Sequence, residues 1–267
     1  MREMGGAQLH VVILAAGQGR RLGALAESTP KWLLDVGGST IAERHLAAVG
    51  STARSNGSGP AASAVVVTGH AREQIEDFLR SRGESTVRVV HNPEYARLNN
   101  WYSLLLGLRS LPCGEHDRVV VLNADLFAEP GWLASFLHAC AHTDAESLIA
   151  VDVERELTDE SMKVAARADA AGGLQLLSGI GKTGIGDPVG EYVGMLMAGG
   201  SVLAHLRRTL EGFVGRGDAA DHWYESAVGI TALEGAPWSV WASPSGEWVE
   251  IDDDADYESA RELCARS

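Results

Sequence analysis

The sequence predicts a three-layer α/β fold, one mostly parallel, mixed sheet with helices on both faces. Three observations predict it. Short apolar runs alternate with amphipathic stretches over the first 143 residues. A glycine-rich turn follows the first apolar run directly, as where a strand opens onto a phosphate. The fully apolar "VVVL" (119–122) ends in the polar "NAD" (123–125), as a buried strand does at its carboxyl end.

The elements follow in order. "HVVILAA" (10–16) reads as the first strand and "TIAERHLAAVG" (40–50) as a helix with Ile41, Leu46 and Val49 on its apolar side. The small, polar "STARSNGSGPAAS" (51–63) reads as a surface loop. "AVVVTG" (64–69) is a strand, "REQIEDFLRSRG" (72–83) a helix ended by Gly83, and "TVRVVHN" (86–92) a strand. "NNWYSLLLGLRSL" (99–111) is a helix, "RVVVLNADLF" (118–127) a buried strand and "GWLASFLHACAH" (131–142) a helix. Beyond 143 the pattern is less regular. Strands are expected at 147–154, 190–199, 238–243 and 247–252, and helices at 201–214, 221–235 and 255–265. A basic, Gly-rich stretch and "LQLLSGIGKTGIG" (174–186) lie between the first two of those strands.

Composition narrows the function. The formal net charge of −14 repels nucleic acid and anionic membranes, so neither is expected as a partner. The apolar runs fall far short of the ~20 residues of a membrane span. Three cysteines without a CxxC pair argue against a disulfide framework or structural zinc. With no secretory h-region in "MREMGGAQLH", the expectation is a cytoplasmic protein. Among 22 basic residues only Lys31, Lys163 and Lys182 are lysines, which suggests that each is kept as a compact point charge.

In "LAAGQGRRLG" (14–23) the glycines free the backbone to bring N–H groups onto a phosphate. Arg20 and Arg21 add bidentate donors. Pro30 fixes the backbone before Lys31, which can reach back to the same phosphates. Two other readings of the turn stand beside this one, a dinucleotide site and an ordinary β-turn. The spacing Gly17, Gly19, Gly23 puts the third glycine one place late for GxGxxG, and no clear second strand ends in Asp35. GxxxxGK[ST] is absent.

Acids appear in two places. Asp125 ends the central apolar run, where ligands bind in open α/β sheets; its plainer reading is a helix cap or turn residue. "WVEIDDDADYE" (248–258) holds six acids, and strand alternation puts Glu250 and Asp252 on one face. Asp125, Glu250 and Asp252 are the candidate metal ligands. The remaining acids fit a solvated face.

The stretch 14–41 resembles the signature of nucleotidyltransferases that activate phosphorylated sugars and alcohols with NTPs: LAAGxGxRL, then PKxLLxVxGxxxI. The resemblance implies a Rossmann-like fold of the nucleotide-diphospho-sugar transferase type. It implies one domain over 1–267, with a nucleotide-binding core over about 8–143 and an acceptor-binding part over about 144–267. It implies that the turn from Leu14, Ala15 and Ala16 through Gly17, Gly19 and Arg20 wraps the triphosphate. Arg21 and Lys31 would be catalytic, and Gly69, Asn123 and Ala124 would face the nucleotide. Asn123 departs from the Asp-Ala-Asp of similar proteins, which leaves Asp125 as the ligand position.

Asn99-Asn100-Trp101-Tyr102-Ser103-Leu104 replaces the GTA-type segment of sugar-1-phosphate enzymes. It resembles cytidylyltransferases acting on phosphocholine or 2-aminoethylphosphonate, which places Asn99, Asn100 and Ser103 at the nucleotide. Lys163 and Lys182 match phosphate-binding lysines. "GEYVGM" (190–195) adds Glu191 and Tyr192, and "DHWYESAV" (221–228) adds Asp221, Trp223 and Tyr224. With Trp101, these aromatics can hold a cationic head, with Asp221 or Glu225 as counter-charge, or simply fill the core. The function expected is Mg²⁺-dependent transfer of CMP from CTP to a small phosphorylated alcohol or phosphonate, with release of pyrophosphate. A sugar- or cyclitol-phosphate nucleotidyltransferase and an inactive NTP-binding regulatory domain are the alternatives. The sequence leaves a homodimer open.

Overall fold

A computed structural model describes residues 8–23, 29–55, 63–112, 114, 116–169, 173–243 and 248–266. The first strand, β1 (Leu9–Ala15), is buried along nearly its whole length because both of its faces are covered. Val11 and Ile13 point into one apolar cluster and Val12 into the other. β2 (Ser63–Thr68), β3 (Arg88–His91) and β4 (Arg118–Asn123) run parallel to β1 in the order β3-β2-β1-β4. Helices α1 (Ile41–Ser55), α2 (Arg72–Ser81) and α3 (Asn100–Ser110) connect them. Gly107 of α3 lies so close to β1 that a Cβ there would meet Val12 at 2.6 Å.

The chain then turns at Ala124–Asp125 into a short strand, β5 (Leu126–Ala128), and helix α4 (Pro130–His142). β6 (Ser147–Asp152), β7 (Lys163–Arg167), β8 (Leu176–Gly181), β9 (Gly190–Gly199) and β10 (Ser239–Ser243) complete a nine-stranded sheet. Its order is β3-β2-β1-β4-β9-β6-β10-β8-β7. β9 is antiparallel to both β4 and β6, so the sheet is mixed. α5 (Gly200–Phe213) and α6 (Tyr224–Leu233) join α3 on one face. α1, α2, α4 and the last helix α7 (Asp254–Arg266) cover the other. β11 (Trp248–Glu250) pairs with β5 in a separate two-stranded sheet.

The α/β class with helices on both faces is the one the alternation predicts, and the Rossmann-like, mixed-sheet architecture is the one the resemblance implies. Five elements differ. The run 118–127 is not one strand, because β5 leaves the main sheet to pair with β11, and Asp125 lies in the break. α1 runs on to Ser55, into the expected loop, whose residues 56–62 lie outside those described. The helix expected from 221 begins at Tyr224, after a single 3-10 turn at Ala219–Asp221. β7 and β8 are strands that periodicity does not mark: both are short and half-exposed, and they exist through pairing with each other, with β9 and with β10. No helix among the described residues is long and apolar enough to cross a membrane.

Candidate functional site

The carboxyl ends of β1 and β4 meet the start of antiparallel β9, with Leu14 paired to Asn123 and Leu122 to Met195. A cavity of about 890 Å³ opens there. Its walls come from both ends of the chain: Leu14, Ala16, Gly17, Lys31 and Asn123 on one side, Glu191, Trp223, Trp248 and Asp252 on the other.

The glycine-rich turn is built for this place. Gly19 has φ 61°, a left-handed conformation that favours glycine, and it opens a single 3-10 turn at Arg20–Leu22. Leu22 is buried and anchors that turn, which leaves Arg21 60% exposed at the cavity rim. A second 3-10 turn, Lys31–Leu33, is anchored by buried Trp32 and aims Lys31 inward.

Charge concentrates at the cavity floor. Lys31 Nζ lies 2.5 Å from Asp252 Oδ1 and 3.5 Å from Asp125 Oδ2. Arg21 donates to the other Asp252 oxygen at 2.6 Å. Oxygens of Asp125, Glu250 and Asp252 all lie within 4.8 Å of one another. The backbone secures this meeting, because Ile251 N–H donates to the Asp125 carbonyl at 2.9 Å.

The ionisation of these groups follows from their surroundings. Burial alone would lower the Lys31 pKa, but Asp125, Asp252 and Glu250 outweigh it and raise it. Burial would raise Asp252, yet Lys31 and Arg21 hold it below the ordinary carboxylate range. Asp125 goes up, from burial and from Asp252, against the pull of Lys31. Glu250 opens onto the cavity but has protein and acids around it; desolvation, then Asp125 and Asp252, push it up to about 8. Asp125 Oδ1 is buried without a hydrogen-bond partner.

The far wall is aromatic and acidic. Trp223, at the start of α6, is 49% exposed and presents its ring to the cavity. Glu225 is buried beside it, 3.4 Å from Asn100 Nδ2, and desolvation raises it to about 7. Tyr192 OH meets Tyr224 OH at 2.8 Å, and Tyr224 OH donates to Asn123 Oδ1 at 3.0 Å. Arg155 stacks 4.2 Å over the Trp248 ring and lies 3.4 Å from Glu191. Buried Asp152 holds both partners, accepting from Trp248 Nε1 at 2.9 Å and from the Arg155 N–H at 3.1 Å.

Most sequence-predicted residues meet here. Asn99, Asn100 and Ser103 line the cavity, as do Lys182 and Tyr192. Several do not. Trp101 is 1% exposed, packed edge-on against Tyr102 and Phe213 with its indole N–H on Ala219 O, so it offers no face to a ligand. The Tyr224 ring is likewise buried and reaches the site only through its hydroxyl. Of the two acids expected as counter-charge, Asp221 is exposed in its 3-10 turn, off the cavity lining, and Glu225 lines the cavity. Lys163 spends its ammonium on the carbonyls of Thr158 and Lys182. Arg20 bonds Gln18, beside the lining rather than in it. Ala15 and Ala124 are buried backbone supports. Gly69 packs behind the lining; a Cβ there would meet the Ala16 carbonyl at 2.6 Å.

Sequence reasoning missed Arg155, Tyr95 and Trp248 as cavity residues. The Arg155 position depends on Trp248, which only tertiary packing brings beneath it.

Similarity to known proteins extends over most of the chain. The profile of the MobA-like NTP transferase domain matches residues 11–218. The choline-phosphate cytidylyltransferase of Haemophilus influenzae is 33% identical over 120 residues, 45% of this chain and 47% of that protein. The Streptococcus pneumoniae protein of the same name is 33% identical over 98 residues, 37% of this chain and 38% of that one. The matched stretch thus spans less than half the length of either relative. Among solved structures, the CTP:phosphocholine cytidylyltransferase of Streptococcus pneumoniae superposes with a TM-score of 0.69 at 20% identity, covering 96% of this chain and 99% of that one. The inositol-1-phosphate CTP transferase of T. maritima gives 0.70 at 19%, covering 97% and 98%. Both share the fold.

Proposed function

The chain belongs to the family of the MobA-like NTP transferase domain, and from that premise we propose that it joins the CMP part of CTP to a small phosphorylated alcohol or phosphonate. An acceptor phosphate oxygen attacks the α-phosphorus of CTP. The bond from that phosphorus to the bridging oxygen breaks, and pyrophosphate leaves with the electron pair. The attacking oxygen is already ionised at neutral pH, so no general base is needed. Catalysis is then positioning and charge stabilisation.

One observation carries the reading: Asp125, Glu250 and Asp252 converge beside Lys31 and Arg21 at the mouth of the glycine-rich turn. Three carboxylates, with Asp125 Oδ1 buried and unpartnered, fit a divalent cation such as Mg²⁺. Such a cation would neutralise charge building on the phosphates. Arg21, at the rim, is the residue we assign to the departing pyrophosphate, and Lys31 to the triphosphate. The backbone from Ala16 to Gly19 cradles the same group.

Two features support CTP and a compact cationic acceptor. The segment Asn99–Leu104 resembles cytidylyltransferases, and two of the curated relatives carry that name. Trp223, Glu191 and Glu225 supply a ring face and carboxyls for an ammonium head. We divide the chain accordingly into a nucleotide part, about 8–143, and an acceptor part, about 144–267.

The test is a matrix of the four NTPs against phosphocholine, phosphoethanolamine, 2-aminoethylphosphonate, inositol 1-phosphate and glucose 1-phosphate, with pyrophosphate release as readout. CTP with one of the first three should react fastest. A preference for glucose 1-phosphate overturns the acceptor assignment. Release from no pair overturns the enzyme reading in favour of an NTP-binding domain.

A further inference from the structure

Resting on that reading, we propose that His45 is a positioning residue whose ring sets the spacing between the peptide bearing Lys31 and the peptide bearing Asp125. His45 lies on α1 and is 0% exposed. Its Nδ1 accepts from Trp32 Nε1 at 3.1 Å, and its Nε2 donates to the Leu126 carbonyl at 2.7 Å. An indole only donates and a carbonyl only accepts, so the two partners dictate a neutral ring with its proton on Nε2. Burial reinforces this by lowering the ring's pKa to about 4.

Each partner is the chain neighbour of a site residue. Trp32 follows Lys31 and anchors its 3-10 turn. Leu126 follows Asp125 and begins β5. The Asp125 carbonyl in turn receives Ile251 N–H, between Glu250 and Asp252. One imidazole therefore ties the loop that aims Lys31 to the turn and strand that aim the three acids. The contact it governs is the 2.5 Å and 3.5 Å reach of Lys31 to Asp252 and Asp125. A small misplacement there is expensive, since ~1 Å can lower a rate ~10²-fold. α1 has other anchors, a Thr40–Glu43 capping box and the Arg44–Glu129 pair at 2.7 Å, so the helix does not depend on this ring.

The two bonds can be removed one at a time. His45→Asn retains an acceptor near Trp32 and abandons Leu126. His45→Gln retains a donor near Leu126 and abandons Trp32. Mn²⁺ binding, followed by electron paramagnetic resonance without turnover, reports on the acids; the KM for CTP reports on Lys31. His45→Asn should weaken Mn²⁺ binding roughly 10-fold or more and leave KM within about 2-fold. His45→Gln should do the reverse. His45→Phe should lower kcat roughly 10- to 100-fold while circular dichroism stays native. If that variant does not fold, the two polar variants still decide. Equal effects of Asn and Gln on both readouts, or none on either, overturn the inference. A wild-type protein that releases no pyrophosphate overturns the proposed function instead, and the Mn²⁺ titration still tests His45.

Discussion

The Lys31 ammonium lies 2.5 Å from Asp252 Oδ1, across 221 residues of chain. The same nitrogen is 3.5 Å from Asp125. Lys31 thus balances charge among the acids proposed to hold a metal, and those acids keep it protonated against its burial.

Lys31→Ala is expected to weaken CTP binding, measured by calorimetric titration. A hydrogen bond to a charged group is worth about 1.5–3 kcal/mol, which corresponds to roughly 10- to 150-fold in affinity. Unchanged affinity would remove Lys31 from the triphosphate site. Arg21→Ala should instead act on kcat, by ~10²–10³-fold, with little change in KM, if its charge matters most as pyrophosphate leaves.

Asp125→Asn and Asp252→Asn should each abolish pyrophosphate release while melting remains cooperative. Asp252→Asn should also release Arg21, whose 2.6 Å bond ends on that carboxylate. Chelation with EDTA should stop the wild type and Mg²⁺ restore it. Full activity in either variant would exclude that carboxylate as a ligand.

Glu225 makes stability depend on pH. Its pKa is raised from the model-peptide 4.5 to about 7 by burial, so the folded state binds the extra proton. Its contribution is fully present below pH 4.5 and is lost as pH rises through about 7, at a cost of roughly 3 kcal/mol. Glu225→Gln should therefore raise Tm at pH 8 and change it little at pH 4.5. An equal Tm difference at both pH values would contradict the assignment.

Trp223→Ala should raise the KM of a cationic acceptor roughly 2- to 30-fold without altering that of CTP, the loss of one cation–π contact. The residue is 49% exposed, so the fold should tolerate the change. An unchanged acceptor KM would place the head group elsewhere.

Much of this was legible in the chain. Gly19, Arg21 and Lys31 fall in one contiguous stretch, and local backbone rules describe it. Asp125 was found because an apolar run ends there, although the break between β4 and β5 was not. The aromatic wall was harder. Trp101 and Trp223 look alike as sequence, yet one is 1% exposed and the other 49%. That difference arises from Phe213 and Ala219, more than a hundred residues from Trp101.

The sequence by itself determined the alternation of strands and helices, the glycine-rich turn and the identity of the acids. These are local properties, set by periodicity, glycine conformation and charge within a few residues. Only the tertiary structure decided which acids meet, that Asp252 bridges Lys31 and Arg21, and that Arg155 stacks on Trp248. It alone put His45 between Trp32 and Leu126. Such contacts join residues from 13 to 231 positions apart. Their geometry comes from sheet order and helix packing, which no local pattern encodes.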